Sequence, residues 1–144
     1  MTFMHFWGGD NPAAEPIKQA IDLFHEQHPD ISVTVEEYPT DDVYVPRLNA
    51  DLAAGTIPDV FLSWPGPLSK PYVESGQLLD LEVYLDKDPE WKNWFVPGTV
   101  EQCKYQGFLG SVPIEGFTVP IYYNEEIFAE FGASPPDTYA ELKV

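Results

Sequence analysis

Three short apolar runs separated by two helical patterns, between Thr2 and Leu62, constrain the fold more than any other feature of the sequence. Thr2 to Phe6 reads as a strand of aromatic and β-branched residues, stopped by Gly8-Gly9. Ile17, Ala20, Ile21 and Phe24 follow at i, i+3, i+4 and i+7, which predicts one apolar helix face ending before Pro29. Asn11 suits the cap of that helix and Pro12 its first position. "ISVTVE" alternates, with Ile31, Val33 and Val35 on one face of a second strand. Leu48 and Leu52 mark a second helix closed by Gly55, with Pro46 expected in its first turn. Val60 to Leu62 is a continuous apolar run, the pattern of a strand covered on both faces. Strand, helix, strand, helix, strand at these spacings predicts the α/β class: a mostly parallel open sheet with helices on both faces.

Beyond Leu62 the signals are shorter. Leu68 to Ser75 predicts a short helix stopped by Gly76, and "PEWKNWF" a helical turn. Lys104 to Val112 carries Gly107 and Gly110 and predicts a hairpin. Val119 to Tyr123 predicts a further strand, which Pro120 pushes toward an edge. Glu125 to Phe131 and "TYAELKV" predict two more helices.

The balance of 24 acidic against 7 basic residues gives a formal net charge of -17. Such a surface repels phosphate backbones and anionic lipid, which argues against nucleic acid and membrane-surface partners. Cys103 is alone, so no disulfide forms within the chain, and a lone cysteine most simply reads as a small buried hydrophobe. No apolar run is long enough for a transmembrane helix. The first ten residues show neither a basic segment nor a cleavage site, so no secretion signal is read there.

In open parallel sheets ligands sit outside the carboxyl ends of the strands. Two loops meet that condition: Trp7 to Asn11 after the first strand, and Ser63 to Gly66 after the third. Trp7 and Trp64 would then offer two flat apolar faces at one rim. Such faces suit sugar rings, with Asp10, Asn11 and Ser63 placed to bind hydroxyls. The alternative is that both indoles only cap the core. Asp10 disfavours an anion at the start of the first helix, and neither phosphate-loop glycine pattern occurs, so a neutral ligand is expected and no cofactor. His25 and His28 lack a third metal ligand in register and read as solvated helix positions. Asp41-Asp42 and Glu125-Glu126 lack calcium-loop spacing. Glu115 could be half of a carboxylate pair for glycoside hydrolysis, but no partner can be assigned, and a binding protein is expected over an enzyme.

Four stretches, "FWGGDNPAAEPIKQAIDLFHEQHPDISVTVE", "LAAGTIPDVFLSW", "VESGQLLDL" and "VPIEGFTVPIYYNEEIFAEFGASPPDTYAEL", resemble the amino-terminal part of extracellular solute-binding proteins of bacterial ABC importers. The similarity is nearest to the sugar-binding branch that includes maltose-binding proteins. It covers nearly the whole chain, and its most specific pieces are "GTIPDV" and "YYNEEIF…PPDTYAEL" in that order.

The resemblance implies a lobe of the type II periplasmic-binding-protein fold. It also implies an extracellular or periplasmic receptor that closes on a sugar by a hinge and hands it to a membrane permease. It places residues 1–118 in the first lobe and 119–144 after the crossing to the second. The family's glycine-and-acid loop matches Gly8, Gly9, Asp10 and Asn11. Its cleft aromatic matches Trp64, or Ser63 if one residue is inserted. The residue at the first crossing matches Glu115 or Phe117, and Tyr44 is a further carry-over. Two departures stand out: family members are usually more than twice as long, and "YQGFLGSVP" replaces a lysine–tyrosine pattern in the hairpin. A shortened lobe would keep an empty strand slot, which Val119 to Tyr123 would fill within its own lobe or in a second copy. Exchange between copies would make a homodimer.

Overall fold

The computed structural model describes residues 1–116 and 120–143, which divide into two units, Met1–Ile114 and Glu115–Val144. In the first unit β1 (Thr2–His5) lies between β2 (Thr34–Glu37) and β3 (Val60–Phe61), and both pairings are parallel. The helices α1 (Ala14–Gln27) and α2 (Asp41–Ala54) are the two crossovers, so the βαβαβ expectation holds. Register sorts the side chains. Phe3 and His5 share a face with Val35, Glu37 and Val60, while Met4 and Phe61 point to the other.

The Met4 face carries the main core. Met4, Tyr44 and Leu48 are fully buried there, with Tyr72 of α3 (Lys70–Glu74) beside them. Tyr44, Leu48 and Leu52 repeat every fourth residue and form one stripe of α2. Ile17, Ile21 and Phe24 of α1 lie over the opposite face, around an apolar cleft of about 230 Å³ that Phe3, Val33 and Val60 complete. A second cluster of Leu85, Cys103 and Leu109 joins α4 (Glu82–Leu85), the end of α6 (Thr99–Gln102) and a hairpin. The hairpin pairs β4 (Lys104–Tyr105) with β5 (Phe108–Leu109). Its two-residue loop, Gln106-Gly107, has positive φ at both positions (51° and 84°), the mirror-image turn that matches strand twist. Between these helices lies α5 (Pro89–Lys92), capped by the Asp88 carboxylate, which accepts from the Trp91 amide at 3.0 Å.

β1 and β3 are clamped at their amino ends. The Asp59 carboxylate accepts from the Thr2 amide at 2.7 Å and the Thr2 hydroxyl at 3.0 Å, and the Asp59 amide donates back to that hydroxyl at 3.0 Å. These bonds hold the Asp59 carboxyl below its ordinary range, the backbone bond from Thr2 contributing most.

Several local expectations need correction. α1 begins at Ala14, because the Asn11 side chain closes its own turn by accepting from the Ala13 amide at 2.9 Å. β2 begins three residues later than "ISVTVE" suggests, ends one later, and leaves Ile31 exposed. Pro46 lies inside α2, beyond its first turn, so the Asp42 carbonyl lacks its usual amide partner. The helix expected over 68–75 is a 3-10 turn, Gly66–Ser69, running into α3, with Pro71 in the first turn of α3.

In the second unit, the described part of the Val119–Tyr123 run, residues 120–123, forms no strand, and Ile121 and Tyr122 are 74% and 88% exposed. A strand exists only with a partner, and none is present for it among the described residues. α7 (Glu125–Glu130) is capped by Asn124, which accepts from the Glu126 and Ile127 amides at 2.9 and 3.1 Å. Thr138 caps α8 (Tyr139–Leu142) in the same way. Among the described residues no helix is long and apolar enough to cross a membrane.

Candidate functional site

Parallel pairing brings the carboxyl ends of β1, β2 and β3 to one edge, so the segments starting at Phe6, Tyr38 and Leu62 leave the sheet side by side. The ladder continues one step past each strand: the Leu62 amide donates to the Met4 carbonyl at 3.1 Å, and the Tyr38 amide to the His5 carbonyl at 2.9 Å. Five aromatic residues gather there. The Phe6 ring stacks on Trp64 with centroids 4.9 Å apart and planes 14° from parallel. Trp7 lies 5.9 Å from Phe6, and Tyr44 lies 5.3 Å from Phe6 and 6.5 Å from Trp64. Tyr38 meets Tyr44 edge-on at 5.8 Å.

The two indoles therefore share one edge, as the strand order requires, but they differ in exposure. Trp64 is half-buried, with one face taken by Phe6. Trp7 is 9% exposed, so it serves as a cap on the core and not as an open platform. The expected role of Tyr44 is corrected in the same sense. It is 0% exposed and its hydroxyl donates to the Leu62 carbonyl, so it is a strut beneath the rim. Burial pushes its phenol well above the ordinary value of 10.0, a further sign of a sealed group.

The loop after β1 is built from backbone constraints. Gly8 lies against the end of β2: its amide donates to the Tyr38 carbonyl at 3.0 Å, and a Cβ at this position would sit 2.9 Å from that oxygen. Gly9 and Asp10 beyond it are exposed, Asn11 is half-buried, and Ser63 is half-buried beside Trp64. These four are accessible at the edge, and so in part are Trp64, Phe6 and Tyr38. Gly9, Asp10 and Asn11 also open onto a groove of about 540 Å³ that runs between α1 and the sheet, past His5 and Glu37. Glu115 is exposed and belongs to the second unit, and Phe117 lies outside the described residues.

Phe6 and Tyr38 are rim residues that the sequence reading missed. The signal for Phe6 was available, since alternation from Met4 puts it on the core face at the strand's end. Tyr38 was hidden by the shifted bounds of β2. The solvated reading is revised for His25, which is half-buried and accepts from the Val33 amide through Nε2 at 3.1 Å; His28 is exposed, as expected, with its ring 4.7 Å from that of Phe24. No metal-binding group of three or more His, Cys, Asp or Glu occurs among the described residues.

Residues 8–144 match the family described as bacterial extracellular solute-binding protein. The chain belongs to this family. A protein of Brucella abortus that carries a provisional name as a binding protein is 28% identical over 99% of this chain and 33% of its own length. Among solved structures, a periplasmic oligogalacturonide-binding protein from Yersinia enterocolitica is 27% identical, with a TM-score of 0.70 over 99% of this chain and 35% of that one. A chain from Caldanaerobius polysaccharolyticus, solved in work on xylan utilization, is 29% identical with a TM-score of 0.67, over 99% and 35%. A de novo designed esterase gives 28% and 0.75, over 99% and 34%; being designed, it implies no catalysis in this chain. This chain thus spans about a third of the length of the curated relatives it matches. The α/β architecture with a parallel sheet is that of a periplasmic-binding-protein lobe.

Proposed function

We propose that this chain supplies one wall of a carbohydrate cleft in an extracellular or periplasmic solute receptor, which binds without chemistry and passes its sugar to an ABC permease. The observation that carries this reading is the single carboxyl edge, from which β3 runs out into Ser63 and Trp64, the latter stacked on Phe6, and β1 into the loop of Gly9, Asp10 and Asn11. An aromatic face flanked by a carboxylate, an amide and a hydroxyl is the combination that holds a sugar ring and its hydroxyls. The solved relatives named for oligogalacturonide binding and xylan utilization support a polysaccharide-derived ligand. The family likeness further suggests Glu115 or Phe117 for the crossing between lobes, with the lobe boundary after Thr118.

A thermal-shift screen against galacturonate, xylose and mannose oligomers tests the reading. The expected result is a rise in Tm with one oligomer class, equivalent to about 2.7 kcal/mol at a hundredfold excess over Kd. Trp64→Ala is expected to weaken that binding about tenfold, through the apolar area it removes. A folded chain with no shift for any oligomer would count against it.

One observation favours self-association alongside binding. Among the described residues β3 is an edge strand of the sheet, and Ile121 and Tyr122 form an exposed apolar stretch outside any strand. Pairing of that segment with β3 of a second copy would satisfy both. Light scattering is expected to give a dimer mass; a monomer at every concentration would exclude exchange.

A further inference from the structure

Trp7 closes the end of β1, and its amide lies past the last ladder bond, in a buried position where an unpaired N–H would be costly. A side chain two residues back supplies the partner. The Trp7 amide donates to Nδ1 of His5 at 3.2 Å, and His5 is itself only 2% exposed. This bond requires a neutral ring with Nδ1 unprotonated, so the proton sits on Nε2. A doubly protonated imidazolium offers the Trp7 amide only another N–H.

We propose that His5 is the positioning residue of the rim: its neutral ring latches Trp7 and with it the Gly8–Asn11 loop, and protonation of the ring releases that loop. As a loop latch the proposal stands on the hydrogen bond alone. As a control on sugar affinity it rests on the rim reading given under the proposed function.

The surroundings of His5 decide where the latch opens. Glu37 is its register partner on β2. Glu15, Lys18, Asp22 and His25 of α1 and Asp10 of the loop line the same groove. β3 brings only Val60 and Phe61 to β1. Glu37 favours the charged ring, but burial opposes it more strongly, and the pKa falls below the ordinary 6.5. The sign follows. A histidine kept neutral by the fold leaves stability unaffected at neutral pH; destabilisation begins as pH falls below 6.5 and levels off below the depressed folded value.

Nitrogen-15 NMR of the 144-residue chain tests this without any ligand. Ring shifts are expected to show the Nε2–H tautomer at neutral pH, and the Trp7 amide is expected to move with the His5 titration. His5→Asn places Oδ1 where Nδ1 stood, an acceptor that does not titrate, just as Asn11 accepts from Ala13. That variant is expected to hold the Trp7 amide at its neutral-pH position down to about pH 5. His5→Phe, lacking any acceptor, is expected to show the released position at every pH and a latched population about fivefold smaller.

The opposite tautomer in the unmodified chain, or a Trp7 amide indifferent to the His5 titration, would overturn the latch even if neither variant folds. Where a sugar binds, its affinity is expected to fall about fivefold on acidification in the unmodified chain but not in His5→Asn. Equal loss in both would remove His5 as the control while leaving sugar binding intact. Absence of sugar binding at any pH would instead strike the rim reading and leave the latch to the NMR result.

Discussion

Tyr44→Ala is expected to cost the first unit about 3–5 kcal/mol, enough to unfold a large fraction of a domain of ordinary stability. The residue is fully buried between α2 and the sheet, where it packs on Met4, Leu48 and Tyr72 and touches the rings of Phe6, Tyr38 and Trp64. Removing the ring opens a cavity at the joint between the core and the rim, and it strands the Leu62 carbonyl that the phenol serves. Tyr44→Phe separates these contributions. It keeps the packing and loses only the donor, for an expected cost of about 1–3 kcal/mol. Urea unfolding midpoints measure both. A Tyr44→Ala chain as stable as its parent would contradict the placement of Tyr44 beneath the rim and return it to the list of ligand contacts.

Gly8→Ala is the second large effect, at about 1–3 kcal/mol. The added Cβ would meet the Tyr38 carbonyl oxygen at 2.9 Å and its carbon at 3.2 Å, both of them backbone at the end of β2. No rotamer relieves that clash, so the loop must lift and lose the Gly8 amide bond to Tyr38. Gly9 provides the contrast. Nothing lies within 4 Å of a Cβ there, and only its φ of +63° resists substitution. Gly9→Asn is therefore expected to stay close to the parent, because asparagine tolerates the left-handed region. If the two substitutions cost the same, Gly8 does not lie against β2.

The sheet and its crossovers were readable because each step rested on a strong local signal: Phe24 at helical spacing from Ile17, Gly55 in the left-handed conformation that closes α2, and an apolar run ending at Leu62. The shared edge followed from strand order alone. What spacing could not show is which of two tryptophans at that edge is covered. Trp7 is buried with its indole against the Phe6 ring and its amide held by His5, a matter of tertiary packing with no periodic signature. Tyr44 is different. It extends the Leu48–Leu52 stripe by one more interval of four, so its burial was written in the helix pattern, and the family likeness outweighed that pattern. Residues 120–123 show the limit of propensity, since β-branched and aromatic residues make a strand only where a neighbouring edge receives them.

Residue-resolved NMR mapping of the oligosaccharide that stabilises the chain tests the central claim most directly. Ligand-dependent shifts are expected at the amides of Phe6, Gly9 to Asn11 and Ser63 to Gly66, together with the Trp64 indole. Shifts confined to α1 and to His5, Val35 and Glu37 beneath it, or a Trp64 indole untouched at saturation, would contradict a sugar site on the carboxyl edge of the sheet.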